Sequence, residues 1–295
     1  MSQGDGPAPS NLPAGVSLLE NQCGIREIAF YERLEEVRRR HREAGDAGDA
    51  EEEALWTALF RVVPQYYGHP KLTVDGREVE FIQLEDLTAG LEWPCIMDVK
   101  IGRRTWDPLA TPEKRLAEEG KYKACRQRYG LCIPGFQFYA VRKGGALVRH
   151  GKDYGKRLTE DNIRDAFLLY LNATEDGRLS RTLLERFLAD LRIIRDWARK
   201  QTTFRLYSSS VLLVYDAAQL GQCGDSALQR NTSLNASNGQ TAAAPLAVKA
   251  RMIDFAHAFS ADASEAGTVD DNYLQGVESL VGLFEQFLAA EGNVD

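Results

Sequence analysis

The sequence of 295 residues is poor in the residues that build metal frameworks. It contains five cysteines without a C-x-x-C pair and four isolated histidines, so their spacing assembles no zinc site. An odd number of scattered cysteines is also typical of a reducing compartment. We therefore expect a protein without a zinc framework.

Long apolar runs are missing as well. No stretch approaches the ~18 consecutive apolar residues of a membrane span, and the first residues lack the pattern of a secretory signal. Acidic residues outnumber basic ones by 43 to 36, and the resulting net charge of −7 disfavours general binding to nucleic acid or to anionic membranes. We expect a soluble monomer, cytoplasmic or nuclear, without stable membrane association.

Several catalytic signatures are also absent. The sequence has no G-x-x-x-x-G-K-[ST] phosphate loop, no G-x-S-x-G elbow and no H-E-x-x-H motif, and it lacks the H-R-D and D-F-G motifs of protein kinases. Lysine is missing from the whole segment before Lys71. If the protein is an enzyme, its catalytic residues must therefore belong to a motif other than these.

The patterns that are present predict an α+β fold of two lobes. Residues 1–15 are rich in Gly, Pro and Ser and are expected to be a disordered tail. An amphipathic helix over 26–40 and a hairpin around Asp75-Gly76 indicate an N-terminal lobe over 16–87. The remainder, 88–295, forms a C-terminal lobe in which the low-complexity stretch 217–247 is a flexible insertion between two strands.

Two further local predictions concern loops and caps. The acidic stretch from Glu43 to Glu53 is most simply a solvated loop before a short helix. Thr159 is expected to be the N-cap of a helix that runs through Leu171.

The first chemical motif is Pro94-Cys95-Ile96-Met97-Asp98-Val99-Lys100-Ile101-Gly102. Strand alternation places Asp98 and Lys100 on one face and the apolar Cys95, Met97 and Val99 on the other. A carboxylate and an ammonium in this arrangement suit phosphoryl transfer, in which the acid orients a hydroxyl and the lysine neutralises charge. The alternative is an ion pair at the end of a strand.

The second motif is Ile253-Asp254-Phe255-Ala256-His257, where a carboxylate leaves an apolar strand. Asp254 is suited to hold Mg²⁺ against nucleotide phosphates, because magnesium prefers one or two carboxylates plus substrate oxygens and water. Taken alone, Asp254 is equally a candidate helix cap, and His257 a structural histidine. The serines 208–210 before the strand VLLVYD offer a hydroxyl near a metal or serve as turn residues.

The third feature is a local excess of positive charge. Between Lys100 and Arg128 the chain has nine basic and four acidic residues, a net charge of +5 within a protein of −7. This patch suits a compact polyanion or is an ordinary solvated face. The basic residues are Lys100, Arg103, Arg104, Lys114, Arg115, Lys121, Lys123, Arg126 and Arg128.

The motif PCIMDVKIG resembles the P-x-x-x-D-x-K-x-G signature of the inositol polyphosphate kinases. YSSSVLLVYD, MIDFAH and DDNYLQGVESL are similar to three further blocks of that family in the same order, and the likeness runs from about Arg26 to Leu288. LEDLT together with Trp106-Asp107-Pro108 and Glu113-Lys114 looks most like the multikinases. The resemblance implies an ATP-dependent, multikinase-type kinase that phosphorylates hydroxyls of soluble inositol tris- and tetrakisphosphates.

The resemblance also implies a protein-kinase-like fold with ATP between the lobes and a short helical inositol-binding segment at about 107–130. By this resemblance, backbone groups of Glu85 and Leu87 hold the adenine of ATP, and Asp86 lies near the ribose. Asp98 contacts the acceptor hydroxyl, and Lys100 contacts phosphate of the substrate or the transferred group. Mg²⁺ is assigned to Asp254 with Ser210. Inositol phosphate is assigned to Lys114, Lys121 and His257.

One position departs from the family pattern. An ATP-binding lysine is expected shortly before the helix that carries Glu27 and paired with that glutamate, yet the stretch reads GVSLLENQCG. The chain is truncated there, or another cation substitutes, or catalysis is impaired. The alternatives are therefore an inositol-phosphate-binding scaffold, or a hexakisphosphate or trisphosphate 3-kinase. Ala117 and Glu118 also stand where the multikinases commonly have glutamines.

Overall fold

The computed structural model describes residues 16–20, 25–44, 49–222 and 246–292, which form an α+β fold. The helices are α1 (Ile25–Ala44), α2 (Ala50–Val62), α3 (Pro112–Gly120), α4 (Lys123–Tyr129), α5 (Lys152–Gly155), α6 (Ile163–Tyr170), α7 (Arg181–Ala198) and α8 (Asp271–Gly292). The strands are β1 (Val16–Glu20), β2 (Tyr66–Gly68), β3 (Lys71–Val74), β4 (Arg77–Glu85), β5 (Pro94–Ile101), β6 (Leu131–Ala140), β7 (Ala146–His150), β8 (Phe204–Leu206), β9 (Ser210–Asp216), β10 (Val248–Ile253) and β11 (Ala258–Ser260). Among these helices none is long and apolar enough to cross a bilayer.

The smaller sheet is built around β4, which pairs antiparallel with β1, β2 and β3. The β3–β4 hairpin turns at Asp75 and Gly76, whose φ angles of 49° and 74° are those that a tight two-residue turn requires. The predicted hairpin is confirmed. Ile82 and Leu84 alternate on the buried face of β4 and fix its register against the core.

The larger sheet has the antiparallel order β10-β9-β5-β6-β7. Cys95, Met97 and Val99 on β5 are fully buried, while Asp98 and Lys100 lie on the opposite face, as the alternation predicted. Helices α7 and α8 pack against each other and cover the buried face through contacts with β10 and β5. The opposite face of the sheet, which carries Asp98 and Lys100, is the one that α7 and α8 do not cover.

Three local predictions are corrected. The residues Glu51 to Glu53 belong to the first turn of α2, where their charge favours the helix N-terminus, and not to a loop. Asn162, not Thr159, occupies the N-cap position of α6, and its Oδ1 accepts a hydrogen bond from the Thr159 backbone N. The insertion begins later than expected, because residues 217–222 form a 3₁₀ helix. Residues 1–15 and 223–245 lie outside the described part of the chain.

A close backbone approach joins α8 to the end of β5. The Gly102 N–H donates to the carbonyl of Gly130 at 2.7 Å, and a Cβ at Gly276 of α8 would lie 2.2 Å from that same oxygen. Glycine is required at position 276 because no side chain fits between the helix and this turn. The end of the strand that carries Lys100 therefore rests directly on α8.

Candidate active site

The ends of three neighbouring strands bring the predicted catalytic residues together. Lys100 of β5 lies opposite Ser210 of β9, and Ser210 lies opposite Ile253 of β10. Adjacent strands are about 4.8 Å apart, so Asp254, which follows Ile253, lies at the end of the same row. Asp98 is two residues before Lys100 on the same face.

Lys100 is held by the turn before β9. Its Nζ donates to the backbone oxygen of Ser208 at 2.8 Å and to the Ser208 hydroxyl at 3.0 Å. Ser208 has a φ of 58°, which a non-glycine residue adopts rarely. Within the described residues no carboxylate lies within ion-pair distance of Lys100. Asp98 and Lys100 therefore form no direct ion pair, although the charge of Lys100 still lowers the pKa of Asp98.

Asp98 is a buried acid with an unused oxygen. Its Oδ1 is inaccessible to solvent and makes no hydrogen bond of ordinary geometry with a described residue, and neither does the nearby Ser210 hydroxyl. Burial raises the pKa of Asp98 and the negative charge of Asp254 raises it further, whereas Lys100 and the nearby Ser210 hydroxyl oppose the rise. Buried polar groups without partners are uncommon and need an explanation. A hydroxyl group bound here would satisfy both atoms, because it can donate to the Asp98 oxygen and accept from the Ser210 hydroxyl.

Asp254 occupies an unusual backbone conformation at the end of β10. Its φ is 63°, in the left-handed region, and its side chain is exposed. Such strain occurs frequently at functional sites. No helix begins here, so the helix-cap alternative is wrong: the chain turns instead into β11.

Asp254 and Ser210 suit a divalent ion whose remaining ligands come from a bound phosphate and water. The described residues contain no cluster of three or more His, Cys, Asp or Glu side chains that could hold a metal alone. Mg²⁺, however, takes one or two carboxylates and completes its shell with phosphate oxygens and water. The open carboxylate of Asp254 beside the unsatisfied Ser210 hydroxyl meets that requirement.

Helix α1 reaches the same loop through Glu27. Its Oε1 accepts a hydrogen bond from the Phe255 backbone N at 3.0 Å, and Phe30 stacks on the Phe255 ring with centroids 3.8 Å apart. Burial raises the pKa of Glu27 to about 7, and the charge of Asp254 adds to the rise although the Phe255 bond lowers it. Of the described side chains, none supplies a cation within 4 Å of Glu27.

The segment after β4 contributes to an apolar cluster. Leu87 is buried against Leu212 and Val214, with Ile96 and Ile253 packed at its edge. Apolar side chains of this kind suit the face of a flat base such as adenine. The cluster lies on the same sheet face as Asp98.

The two acids before Leu87 make local contacts. Glu85 forms an ion pair with Lys249 of β10, with Nζ 2.9 Å from Oε1. Asp86 accepts bonds at Oδ1 from the backbone N and the hydroxyl of Thr88, at 2.9 and 2.7 Å, and so closes a turn. The adenine role of Glu85, which needs only backbone groups, is unaffected, and the ribose role of Asp86 stays a prediction.

The helical segment beyond β5 carries the predicted phosphate-binding residues. Lys114 is exposed in the first turn of α3, whose N-cap is Thr111. Lys121, just after α3, forms an ion pair with Glu118 at 2.6 Å. The Nδ1 atom of His257 lies 2.5 Å from Oδ2 of Asp107, a carboxylate that is 4 % exposed.

Part of the positive charge predicted between 100 and 128 is used internally. Arg126 is buried, and its guanidinium donates to the backbone oxygens of Arg103, Glu118 and Lys121. Arg104 stacks on Trp106 and on Tyr207, at 4.5 Å from each ring centroid. The patch is therefore partly a scaffold that holds α3 and α4 against the end of β5.

Comparison with known proteins decides the family. A family model described as inositol polyphosphate kinase matches residues 81–285. The chain belongs to the inositol polyphosphate kinase family. Inositol hexakisphosphate kinase 3 of Mus musculus is 33 % identical over 220 residues, covering 72 % of this chain and 52 % of that protein. The human inositol polyphosphate multikinase is 27 % identical, covering 66 % and 43 %.

A solved structure extends the likeness to nearly the whole chain. The inositol phosphate multikinase Ipk2 of S. cerevisiae, crystallised with ADP and Mn²⁺, matches with a TM-score of 0.65 at 22 % identity and covers 92 % of this chain and 99 % of that one. This match confirms the expected kinase-like α+β fold. The chain spans about half the length of the curated relatives it matches.

In this member of the family, several of the predicted residues make contacts that their sequence patterns do not predict. Nothing in the spacing connects Asp107 to His257, because 150 residues separate them. In the sequence, Ser208 is one member of a run of serines and Arg126 is one of nine basic residues, so the pattern distinguishes neither. The family pattern gives no indication that Glu118 pairs with Lys121.

Proposed function

We propose that this chain transfers the γ-phosphate of ATP to a hydroxyl group of a soluble inositol phosphate that carries three or four phosphates. One observation supports this above all: Lys100, Ser210 and Asp254 lie in one row, beside a buried oxygen of Asp98 that makes no hydrogen bond to a described residue. The apolar cluster around Leu87 lies on the same sheet face and would contact the base of the nucleotide.

The roles proposed for the individual residues follow from their chemistry. Asp98 accepts a hydrogen bond from the acceptor hydroxyl and orients it, and burial gives its carboxylate a raised affinity for the proton. Lys100, positioned by Ser208, contacts the transferred phosphoryl group. Asp254 and Ser210 would hold the Mg²⁺ ion, which neutralises charge on the phosphates of ATP.

The proposed substrate site lies across the loop that follows β5. Lys114, Lys121 and His257 would contact phosphates of the inositol ring, with Asp107 orienting His257. The relatives favour no single substrate, since hexakisphosphate kinases and multikinases both match. We propose the cytoplasm or the nucleus as the place of action, where such substrates are soluble.

The test is a transfer assay with purified protein, Mg-ATP labelled at the γ-phosphate and a set of inositol phosphates. We expect labelled product, and a loss of about 10²-fold or more in rate for Asp254→Asn and for Lys100→Met. Asp262→Asn, in an exposed loop, is the matched control. Product formation by Asp254→Asn at the wild-type rate would contradict the proposed metal site.

A second function, binding without catalysis, is favoured by the environment of Glu27. Burial raises the pKa of this acid to about 7. No described side chain places a cation within 4 Å of it, whereas the resemblance implies a lysine partner that also binds ATP. Calorimetry distinguishes the two functions. Binding of inositol phosphate without any affinity for Mg-ATP would establish the scaffold and exclude the kinase.

A further inference from the structure

Arg104 lies on the loop that leaves β5, four residues after Lys100. Asn272 of α8 holds its backbone through two hydrogen bonds: Oδ1 accepts from the Arg104 backbone N at 2.8 Å, and Nδ2 donates to the Arg104 carbonyl at 3.0 Å. A side-chain amide that satisfies both the donor and the acceptor of one residue restricts the orientation of that residue. The Arg104 side chain therefore leaves the loop in a defined direction.

The guanidinium group of Arg104 is clamped between two aromatic rings. It lies 4.5 Å from the ring centroid of Trp106 and 4.5 Å from that of Tyr207, and its Nη2 donates to the Tyr207 hydroxyl. Its Nε is buried and makes no hydrogen bond to a described residue. A cation is attracted to the face of an aromatic ring, and more strongly where water is excluded. The two rings and the phenol hydroxyl together hold this cation in place.

Tyr207 is buried and is held from both sides of its ring. One side faces Arg104, and Phe259 of β11 packs edge-on against the ring with centroids 5.9 Å apart. The Tyr207 backbone N donates to the carbonyl of His257 at 3.2 Å. Burial raises the pKa of the phenol although the charge of Arg104 opposes the rise, so the hydroxyl is neutral at neutral pH. Arg104 therefore supplies a hydrogen bond and one of the two ring contacts that fix Tyr207.

Tyr207 directly precedes Ser208, the residue that holds Lys100. Ser208 has a φ of 58°, and such a conformation persists only where the surrounding structure maintains it. Lys100 Nζ donates to the Ser208 carbonyl at 2.8 Å and to its hydroxyl at 3.0 Å. An ammonium group has three N–H donors, so one remains for a ligand. The position of Tyr207 thus determines the position of the Lys100 ammonium group.

We propose that Arg104 is a positioning residue for phosphoryl transfer: through Tyr207 it fixes the turn at Ser208, and with it the ammonium group of Lys100. Arg104 needs no contact with a ligand for this role, because its effect passes through contacts within the protein. The inference rests on the proposed function in one respect, the contact of Lys100 with the transferred phosphoryl group.

The first experiment measures the accessibility of Lys100 in protein without substrate. The protein is treated briefly with acetic anhydride, and acetylation of Lys100 is quantified by peptide mass spectrometry. The amine reacts more slowly while its nitrogen is engaged in two hydrogen bonds to Ser208. We expect Arg104→Gln and Tyr207→Phe each to raise the rate at Lys100 about fivefold, the effect of losing one ordinary hydrogen bond. Tyr207→Phe keeps the ring and removes only the hydroxyl that Arg104 contacts.

Arg164→Gln is the matched control. Arg164 lies 4.7 Å from the ring centroid of Phe287 and donates to Gln286, so this change removes the same kinds of contact between α6 and α8. We expect it to leave the acetylation of Lys100 unchanged. An unchanged rate at Lys100 in both Arg104→Gln and Tyr207→Phe, or an equal rise in Arg164→Gln, would overturn the inference.

The second experiment measures kcat/KM for phosphate transfer in single and double variants. Arg104→Gln should lower kcat/KM about tenfold, because a displaced group loses its contact in the transition state. In a Lys100→Met background the same change should cost less than about twofold, since the ammonium group that Arg104 positions is then missing. An equal loss in both backgrounds would mean that Arg104 acts only on the stability of the fold, and it would overturn the inference.

The outcomes separate this inference from the proposed function. Faster acetylation of Lys100 in Arg104→Gln, in protein that transfers no phosphate, supports the positioning of Lys100 by Arg104 and refutes the kinase. Transfer with a kcat/KM that Arg104→Gln leaves unchanged supports the kinase and refutes the inference. Thermal unfolding of each variant verifies that the fold is intact.

Discussion

Replacement of Glu27 by Gln should stabilise the protein at high pH and have little effect at low pH. Glu27 is buried against Phe255 and beside Asp254, and its pKa is raised from 4.5 to about 7. Since the folded state holds this proton more tightly than the unfolded chain, stability falls as the pH rises from about 4.5 through 7. Above about pH 7 this loss of stability is complete, and the ionisation of Glu27 no longer changes the free energy of unfolding.

The size of the effect follows from the same values. A change of one in pKa corresponds to about 1.4 kcal/mol, so a rise from 4.5 to about 7 sets an upper limit of about 3 kcal/mol. Glutamine keeps an oxygen that accepts the Phe255 N–H bond and never ionises. We therefore expect Glu27→Gln to exceed the wild type by about 2 kcal/mol at pH 8 and to match it at pH 4.5.

The assay is urea unfolding at a series of pH values, in protein without nucleotide or metal. Glu32→Gln is the control, because Glu32 lies on the same helix and is 55 % exposed in its side chain. A Glu27→Gln variant that is less stable than the wild type at pH 8 would refute the reasoning. That result would mean that a cation pairs with Glu27, as the family pattern implies.

Two further predictions concern packing. Phe30→Ala removes the ring stacked on Phe255 and should cost about 3–5 kcal/mol in the free energy of unfolding, measured in urea; a loss below 1 kcal/mol contradicts the described docking of α1. Gly276→Ala forces a methyl group to within 2.2 Å of the Gly130 oxygen and should cost about 3 kcal/mol or prevent folding. The control is Gly282→Ala on the same helix, where a new methyl group meets nothing within 4 Å and should stabilise the protein by up to about 1 kcal/mol. Equal effects of the two substitutions on stability would contradict the prediction.

Local patterns predicted much of the fold because they report on single elements. Alternation in β5 placed Asp98 and Lys100 on one face, and Asp75-Gly76 located the hairpin. The cap of α6 was misplaced because Thr159 and Asn162 both carry side chains that bond to nearby backbone groups. Choosing between them requires the path of the chain, which spacing does not contain.

The site was predicted less completely, for a different reason. Motifs identify residues that meet a ligand, but they say little about which protein groups already occupy those residues. The motif predicts that Lys100 contacts phosphate or pairs with Asp98, but it does not predict the bonds to Ser208 that hold this lysine. It likewise does not predict that Lys121, a candidate for binding inositol phosphate, pairs with Glu118. These contacts join residues that are far apart in the sequence or belong to no motif, so only the three-dimensional structure reveals them.

The contact between Asp107 and His257 has a thermodynamic consequence. His257 stands three residues after Asp254, and Asp107 belongs to the loop that carries the inositol-binding segment, so one hydrogen bond joins the two halves of the proposed site. If an inositol phosphate that binds His257 changes the position of this loop, it also changes the affinity of the site at Asp254. Linkage then requires reciprocity: whatever factor the inositol phosphate imposes on nucleotide affinity, the nucleotide imposes on inositol phosphate affinity.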